Sequence, residues 1–391
     1  MKWKTVKLGE LYTVHNGLSK GSKYFGTGYP FLSFSTVFNN YFIPDEMDSL
    51  VQSSEKEQKN YSILRGDVFI TRTSETSNEL GMSCVALKDY PHATYNGFTK
   101  RLRPKDTERI YPEYIGYFLR EPNFRKQFMA FSSIITRASL KNEDLLRMEV
   151  SVPPVNIQKK IAGVLRNYDN LIENNNKRIK ILEQMAENLY KEWFVRFRFP
   201  GYETAEFVDD LPKGWKVVKL HDYVDIKAGG DRPEICKDTP DDVCNVPIYS
   251  NGINNNGLYG YTTDAVIYKE SITISARGTV GFVCLRRKPF VPIVRLLVLT
   301  PTNECFSAIY LYYLLKNDEL IGNGTSQQQI TIPMVQKKKV LKPALDVVSR
   351  FSTYVKEIWD EIDILQNQNQ NLIKQRDYLL PRLMGGKLQV K

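Results

Sequence analysis

Histidine and cysteine are scarce in this chain of 391 residues, which holds three of the first and five of the second. His15, His92 and His221 lie far apart, so each reads as a surface or turn residue rather than a catalytic base. Cys84, Cys236, Cys244, Cys284 and Cys305 are scattered and odd in number, which suits unpaired thiols in a reducing cytoplasm. No spacing among them completes a tetrahedral zinc set. Long apolar runs are missing too. The longest, Phe290 to Leu299, is broken by Arg295 and too short to span a bilayer, so no membrane partner is expected. Met1-Lys2-Trp3-Lys4 passes into strand-like alternation rather than a secretory signal. Nucleotide and group-transfer signatures are absent. No strand leads into a G-x-G turn, and Gly21-Ser22-Lys23 lacks the spacing of a phosphate loop. The only Pro-Pro, in Val152-Pro153-Pro154-Val155, has apolar flanks where an amino-methyltransferase loop needs a polar residue and an aromatic. No acidic pair stands at nuclease spacing from a lysine. The chain reads as non-catalytic, with no metal or cofactor of its own.

What is present is positive charge and long-range pattern. Lysine and arginine outnumber aspartate and glutamate 54 to 44, which favours an acidic partner, nucleic acid first. Pro153 and Pro154 open a stretch, reaching to about Phe197, with apolar residues in heptads: Ile161/Leu165, Tyr168/Ile172, Asn175/Ile179, Leu182/Ala186 and Leu189/Trp193. Near the other end, Phe351/Val355, Ile358/Ile362, Leu365/Asn369, Leu372/Arg376 and Leu379/Leu383 repeat that register. Phe351 follows Ile161 by 190 residues, as Leu383 follows Trp193. About 40 helical residues make a rod of roughly 60 Å, which needs a partner, and the second stretch supplies one. Antiparallel pairing in full overlap sets Asn175 opposite Asn369, a buried amide pair of the kind that fixes register at some cost in stability.

The remainder is one unit written twice. Trp3-Lys4-Thr5-Val6-Lys7-Leu8 recurs as Trp215-Lys216-Val217-Val218-Lys219-Leu220, and Pro30-Phe31-Leu32-Ser33 resembles Pro247-Ile248-Tyr249-Ser250. Gly66 to Arg72 resembles Glu270 to Arg277 more loosely. Short strand-like runs are expected at Val68–Thr71, Val266–Tyr268, Ser271–Ser275 and Phe290–Thr300. Aromatic helical patches are expected at Pro112–Phe131 and Cys305–Leu315, with their rings in the core. Pro200 and Gly201 read as a breaker and linker before Leu211-Pro212-Lys213-Gly214-Trp215.

Polar loops bearing arginine fall at matching places. Arg72, Thr73, Ser74 and Asn78 follow one strand, and Arg277, Gly278 and Thr279 follow its counterpart. Ser33 begins a second loop in the first unit, as Ser250 and Asn251 do in the second. A third carries Gln327, with Arg137 standing in its place in the first unit. Arginine can address guanine edges with two hydrogen bonds, while Ser, Thr and Asn serve phosphates or adenine. Taken singly, each loop also reads as an ordinary solvated turn; recurrence in both copies is the argument for function.

These features resemble the specificity subunit of Type I restriction–modification systems over essentially the whole chain. Leu182-Glu183-Gln184-Met185-Ala186-Glu187-Asn188-Leu189-Tyr190-Lys191-Glu192-Trp193-Phe194-Val195-Arg196-Phe197 is similar to that family's central conserved helix. Pro153-Pro154 with Gln158 and Ile161-Ala162 resembles its entry motif. Leu211-Pro212-Lys213-Gly214-Trp215 with Leu220 resembles the start of a target recognition domain, and Trp3 with Leu8 resembles the family's opening. Gly324, Ser326 and Gln327 resemble the loop before the distal conserved helix; Arg137 departs from it in the first unit.

The resemblance implies an α+β fold. Two duplicated mixed α/β target recognition domains (1–152 and 200–343) would be separated by two long helices, a central one (153–199) and a distal one (344–391), pairing as an antiparallel coiled coil. It also implies double-stranded DNA as ligand, each domain reading half of a bipartite site and the helices setting the spacer. Two modification subunits would bring S-adenosylmethionine and adenine methylation. Restriction subunits would bring ATP, Mg and cleavage. Two other readings stay open at this point: a specificity half of a methylation system without cleavage, and a non-catalytic coiled-coil scaffold or RNA-binding adaptor, which would bind without sequence preference.

Overall fold

A two-residue alternation of side chains organises each half of the molecule. The computed structural model describes residues 3–74, 80–131, 138–317 and 329–390, with backbone alone at 73–74, 129–131 and 138–139. It divides into two units, one of residues 1–175 with 367–391 and one of residues 176–366.

In the first unit, four antiparallel strands lie in the order Tyr12–Asn16, Thr99–Pro104, Val68–Thr71, Ser83–Val85. Val68 and Ile70 turn to one face and Phe69 to the other, as strand geometry requires. The first face packs on Tyr114, Tyr117 and Phe118 of helix Pro112–Arg120 and on Phe124 and Phe128 of helix Pro122–Phe131. The second is covered by Phe25–Leu32, which pairs antiparallel with Leu50–Val51 and parallel with Thr94–Tyr95; Cys84 and Tyr95 close that core. Lys4–Lys7 pairs with Glu149–Val152 and brings the chain to Pro153.

The second unit repeats this order as Val224–Ala228, Leu297–Pro301, Ser271–Ile274, Val283–Arg286. Val246–Tyr249 again pairs antiparallel on one side, with Leu258–Thr262, and parallel on the other, with Val291–Pro292. Lys216–Lys219 pairs with Lys339–Lys342. Helix Ala308–Lys316 supplies Tyr310 and Tyr313 to the core.

Three expected elements differ in detail. Pro112–Phe131 is two helices, because Pro122 forces the residue before it, Glu121, into extended backbone (φ −65°, ψ 136°). Phe290–Thr300 is two strands split by a tight turn with positive φ at Val294 and Arg295. Val266–Tyr268 is not a strand: only Ile267 is bridged, to Phe290, while Val266 and Tyr268 face solvent.

The central helix runs Val155–Tyr190 and continues through Lys191–Val195 in wider turns, in which Arg196 N reaches Lys191 O. The C-terminal helix runs Leu345–Met384. The two pair antiparallel within each unit. In the first, Ile161 and Leu165 share a core with Leu379, Leu380 and Leu383. Asp169 accepts from Arg376 Nη1 at 2.6 Å and from the hydroxyl of Tyr117, which ties the aromatic helix to the pair. In the second, Ala186, Leu189, Tyr190 and Trp193 pack with Phe351, Val355 and Ile358, and Arg178 pairs with Glu361 at 2.7 Å. Every heptad seam position is buried or half-buried.

Asn175 Nδ2 donates to Asn369 Oδ1 at 3.0 Å inside the first unit, with both residues buried. Replacing Asn175 alone with Leu removes that bond and should cost about 1–3 kcal/mol in chemical denaturation. Replacing both with Leu should restore or raise stability, because an apolar pair fills the seam without an amide to satisfy. A double variant as unstable as the single one would show that the seam does not accept apolar residues there.

Candidate nucleic-acid interface

All four strands of each larger sheet begin or end on a common edge, and the loops there are held by one backbone network built twice. In the first unit Gly17 N donates to Thr99 O (3.2 Å), Leu18 N to Tyr95 O (2.9 Å), Asn96 N to Leu32 O (3.0 Å) and Thr99 N to Asn96 O (3.0 Å). In the second, Gly229 N donates to Leu296 O (2.8 Å), Gly230 N to Pro292 O (3.2 Å), Ile293 N to Tyr249 O (2.9 Å) and Leu296 N to Ile293 O (3.1 Å). The correspondence is residue for residue. Gly17 matches Gly229, Leu32 matches Tyr249, and turn 96–99 matches turn 293–296. Glycine is required at the first of these places because the backbones nearly touch. A Cβ on Gly17 would lie 2.0 Å from the Asn96 carbonyl oxygen, and one on Gly229 2.7 Å from the Pro292 carbonyl carbon.

The same logic aligns the arginine loops. Thr71 N donates to Met82 O and Gly81 N to Thr71 O, just as Ser275 N donates to Phe282 O and Gly281 N to Ser275 O. Arg72 O accepts from Leu140 N, and Ala276 O accepts from Ile330 N. Arg72 therefore matches Ala276, and Arg277 stands one residue further on, in the place of Thr73. The loops are equivalent but the two arginines are not, and their exposure differs. Arg72 is half-buried, with Nε enclosed and without a hydrogen-bond partner, whereas Arg277 is exposed.

The other candidates divide by what their polar atoms already do. Ser33 Oγ accepts from Thr36 N at 3.1 Å and caps the short helix Phe34–Asn39. Asn251 is a brace: its Nδ2 donates to Val294 O at 2.6 Å, and its Oδ1 accepts from Ala276 N at 2.8 Å. Ser250 N donates to Gly257 O. Gly278 (φ 71°) and Thr279 are exposed beside Arg277. The backbone of Thr73–Ser74 pairs antiparallel with Ala138–Ser139. Asn78, Arg137 and Gln327 lie outside the described residues. Asn175 and Asn369 belong to the helix seam and not to this edge.

Lys100 was not singled out by sequence reasoning. It is almost wholly enclosed below the first edge, its Nζ donating to Asn142 Oδ1, and burial together with nearby Arg72 lowers its pKa. Among the described residues, Arg72, Lys100, Arg277 and Arg295 form no ion pair, so each edge carries positive charge that no described carboxylate pairs. That arrangement suits a polyanion. No described helix is long and apolar enough to cross a membrane, and no three His, Cys, Asp or Glu among the described residues group as metal ligands.

The close approach at the paired glycines is directly testable. Gly17→Ala or Gly229→Ala should each lower stability by about 1–3 kcal/mol in thermal melts, since carbonyl backbone cannot step aside cheaply. Gly278→Ala, whose Cβ would meet nothing within 4 Å, should cost only its positive-φ strain, about 1 kcal/mol. Equal losses at all three positions would contradict the tight crossing.

Comparison with known proteins agrees with this geometry. The family model described as the Type I restriction modification DNA specificity domain matches residues 1–184 and 212–379. The MjaIX specificity subunit of Methanocaldococcus jannaschii, named as that of a Type I restriction enzyme, is 26% identical, with 100% of this chain and 94% of the relative covered. The HindI specificity subunit of Haemophilus influenzae is 22% identical, with 99% of each covered. The crystal structure of the S subunit of a Type-I restriction-modification system from M. genitalium superposes with a TM-score of 0.58 at 14% identity, over 98% of this chain and 96% of that one, a likeness of fold. The doubled sheet edge and the matched model together place this chain in the Type I restriction–modification DNA specificity family.

Proposed function

We propose that this chain reads a bipartite double-stranded DNA site, one half by the edge of each unit, with the antiparallel helices setting the untouched spacer between the halves. The observation that carries the proposal is the duplicated edge: one backbone network, built once per unit, rimmed by arginines that pair with no carboxylate among the described residues. Two such edges on one chain suit a split target, as paired recognition elements set half-site spacing in dimeric repressors. Arg72, Thr73, Ser74, Asn78, Arg137 and Ser33 would serve one half-site; Arg277, Gly278, Thr279, Ser250, Asn251 and Gln327 would serve the other. Ser33 and Asn251 would act largely by holding their loops, since their side chains are engaged within the protein. Asn175 and Asn369 would fix the helix register and, through it, the spacer.

The chemistry would belong to partners working with this chain in the cytoplasm. Two modification subunits would supply S-adenosylmethionine and methylate adenine, which has to leave the base stack to react. Restriction subunits would supply ATP- and Mg-dependent translocation and cleavage. The test is mapping of methylated adenine in host DNA with and without this gene, partner genes intact. The proposal expects methylation at one split motif with a constant gap, lost on deletion. An unchanged methylome despite expressed partners would contradict it.

A further inference from the structure

The two edges share a backbone, and besides the arginine loops they differ at the exposed tip of the neighbouring turn. In the first unit the tip is Gly97-Phe98, and in the equivalent turn of the second it is Val294-Arg295. Phe98 is 58% exposed, and its carbonyl accepts from Arg72 N at 3.0 Å. Its own N–H is held by Asn96 Oδ1 at 2.7 Å. Arg295 is exposed and makes no ion pair among the described residues.

The second turn is strained as well as exposed. Val294 and Arg295 have φ of 53° and 61°, a conformation that suits Asn-Gly and is an outlier for a β-branched residue. Four contacts hold it there. Val294 N donates to Gly230 O (2.9 Å), Arg295 N to Gly229 O (3.2 Å), Ile293 N to Tyr249 O (2.9 Å), and Asn251 Nδ2 to Val294 O (2.6 Å). The turn's backbone is thus occupied inward, and its side chains are what it offers outward. Strain of this kind persists where the surrounding structure over-determines it, and such places cluster at functional sites. A rigid tip also places a side chain more accurately than a loose loop does.

We infer that the turn tips are the paired specificity positions of the two units, Arg295 reading a guanine edge in one half-site and Phe98 packing on a thymine methyl in the other. This rests on the bipartite-DNA reading and deepens it by naming which side chains reach bases. The guanidinium fork matches the N7 and O6 acceptors of guanine, while a ring with no donors suits the methyl that only thymine presents in the major groove. Because the positions are equivalent and the chemistries differ, one scaffold would read two different half-sequences.

The test is adenine-methylation mapping in cells carrying the partner genes and either the wild-type chain or a variant, with melting temperature as the folding control. Arg295→Ala should relax the motif at one G·C pair of one half only, and Arg295→Gln should shift that position toward A·T. Phe98→Ala should relax one A·T pair of the other half. On duplexes with the mapped motif, 7-deazaguanine at the first position, or deoxyuridine for thymine at the second, should weaken wild-type binding about tenfold and the matching Ala variant far less. An unchanged motif, or a uniform fall of methylation at all sites by a well-folded variant, would overturn the assignment, the latter marking a phosphate contact. No split motif with the wild-type chain would defeat the bipartite reading first, and this inference with it.

Discussion

The seam between the two long helices is the constraint on which the rest of the molecule depends. The first unit is discontinuous in sequence (1–175 with 367–391) and the second is one stretch (176–366), and each takes part of the central helix and part of the C-terminal helix. Neither sheet core is closed without them: Ile161, Leu165 and Leu383 belong to the first, and Trp193, Phe351 and Val355 to the second. A purely apolar seam of this length would tolerate sliding by a heptad, since leucine packs alike at successive positions. The buried amide pair Asn175–Asn369 discriminates among those registers, because a slip would leave two amides enclosed against hydrocarbon. Asp169, shared by Arg376 and Tyr117, carries the same register into the aromatic helix of the first unit.

On that frame the duplicated edge separates scaffold from content. The scaffold is hydrogen bonding between backbones, with glycine at its crossing point in both copies. Backbone networks of this kind are indifferent to most side chains, so the rim is free to vary while the floor stays put. The copies have in fact diverged at the rim: Arg72 against Ala276, Thr73 against Arg277, Phe98 against Arg295. Loops carried on a rigid sheet are where recognition residues concentrate in general, for the same physical reason.

Much of this organisation was legible in the chain. The constant separation between the two heptad stretches announced their pairing, and Trp3 and Trp215 marked the start of each repeat. Secondary structure at Phe290–Thr300 was less legible, because an unbroken apolar run gives no sign of a turn made by Val294 and Arg295, residues that seldom adopt positive φ. The site was least legible. Arg72 and Arg277 stand in similar polar strings, but a one-residue difference in alignment, visible only through hydrogen bonds to Leu140 and Ile330, puts them in different places. Nothing in the sequence pattern singles out Phe98, and Arg295 reads only as an interruption of an apolar run. Both sit at turn tips whose position on the edge depends on strands distant in sequence.

The most direct measurement of the central claim lengthens the seam itself. One heptad would be inserted after Ile179 and a matching one before Leu365, positions that face each other when Asn175 faces Asn369. Adenine-methylation mapping would then measure the gap in the split motif. Seven residues add about 10 Å of helix, or roughly three base pairs of duplex. If the helix pair sets the spacer, both half-motifs persist and the gap widens by about that amount. Unaltered half-motifs at an unaltered gap would contradict the account.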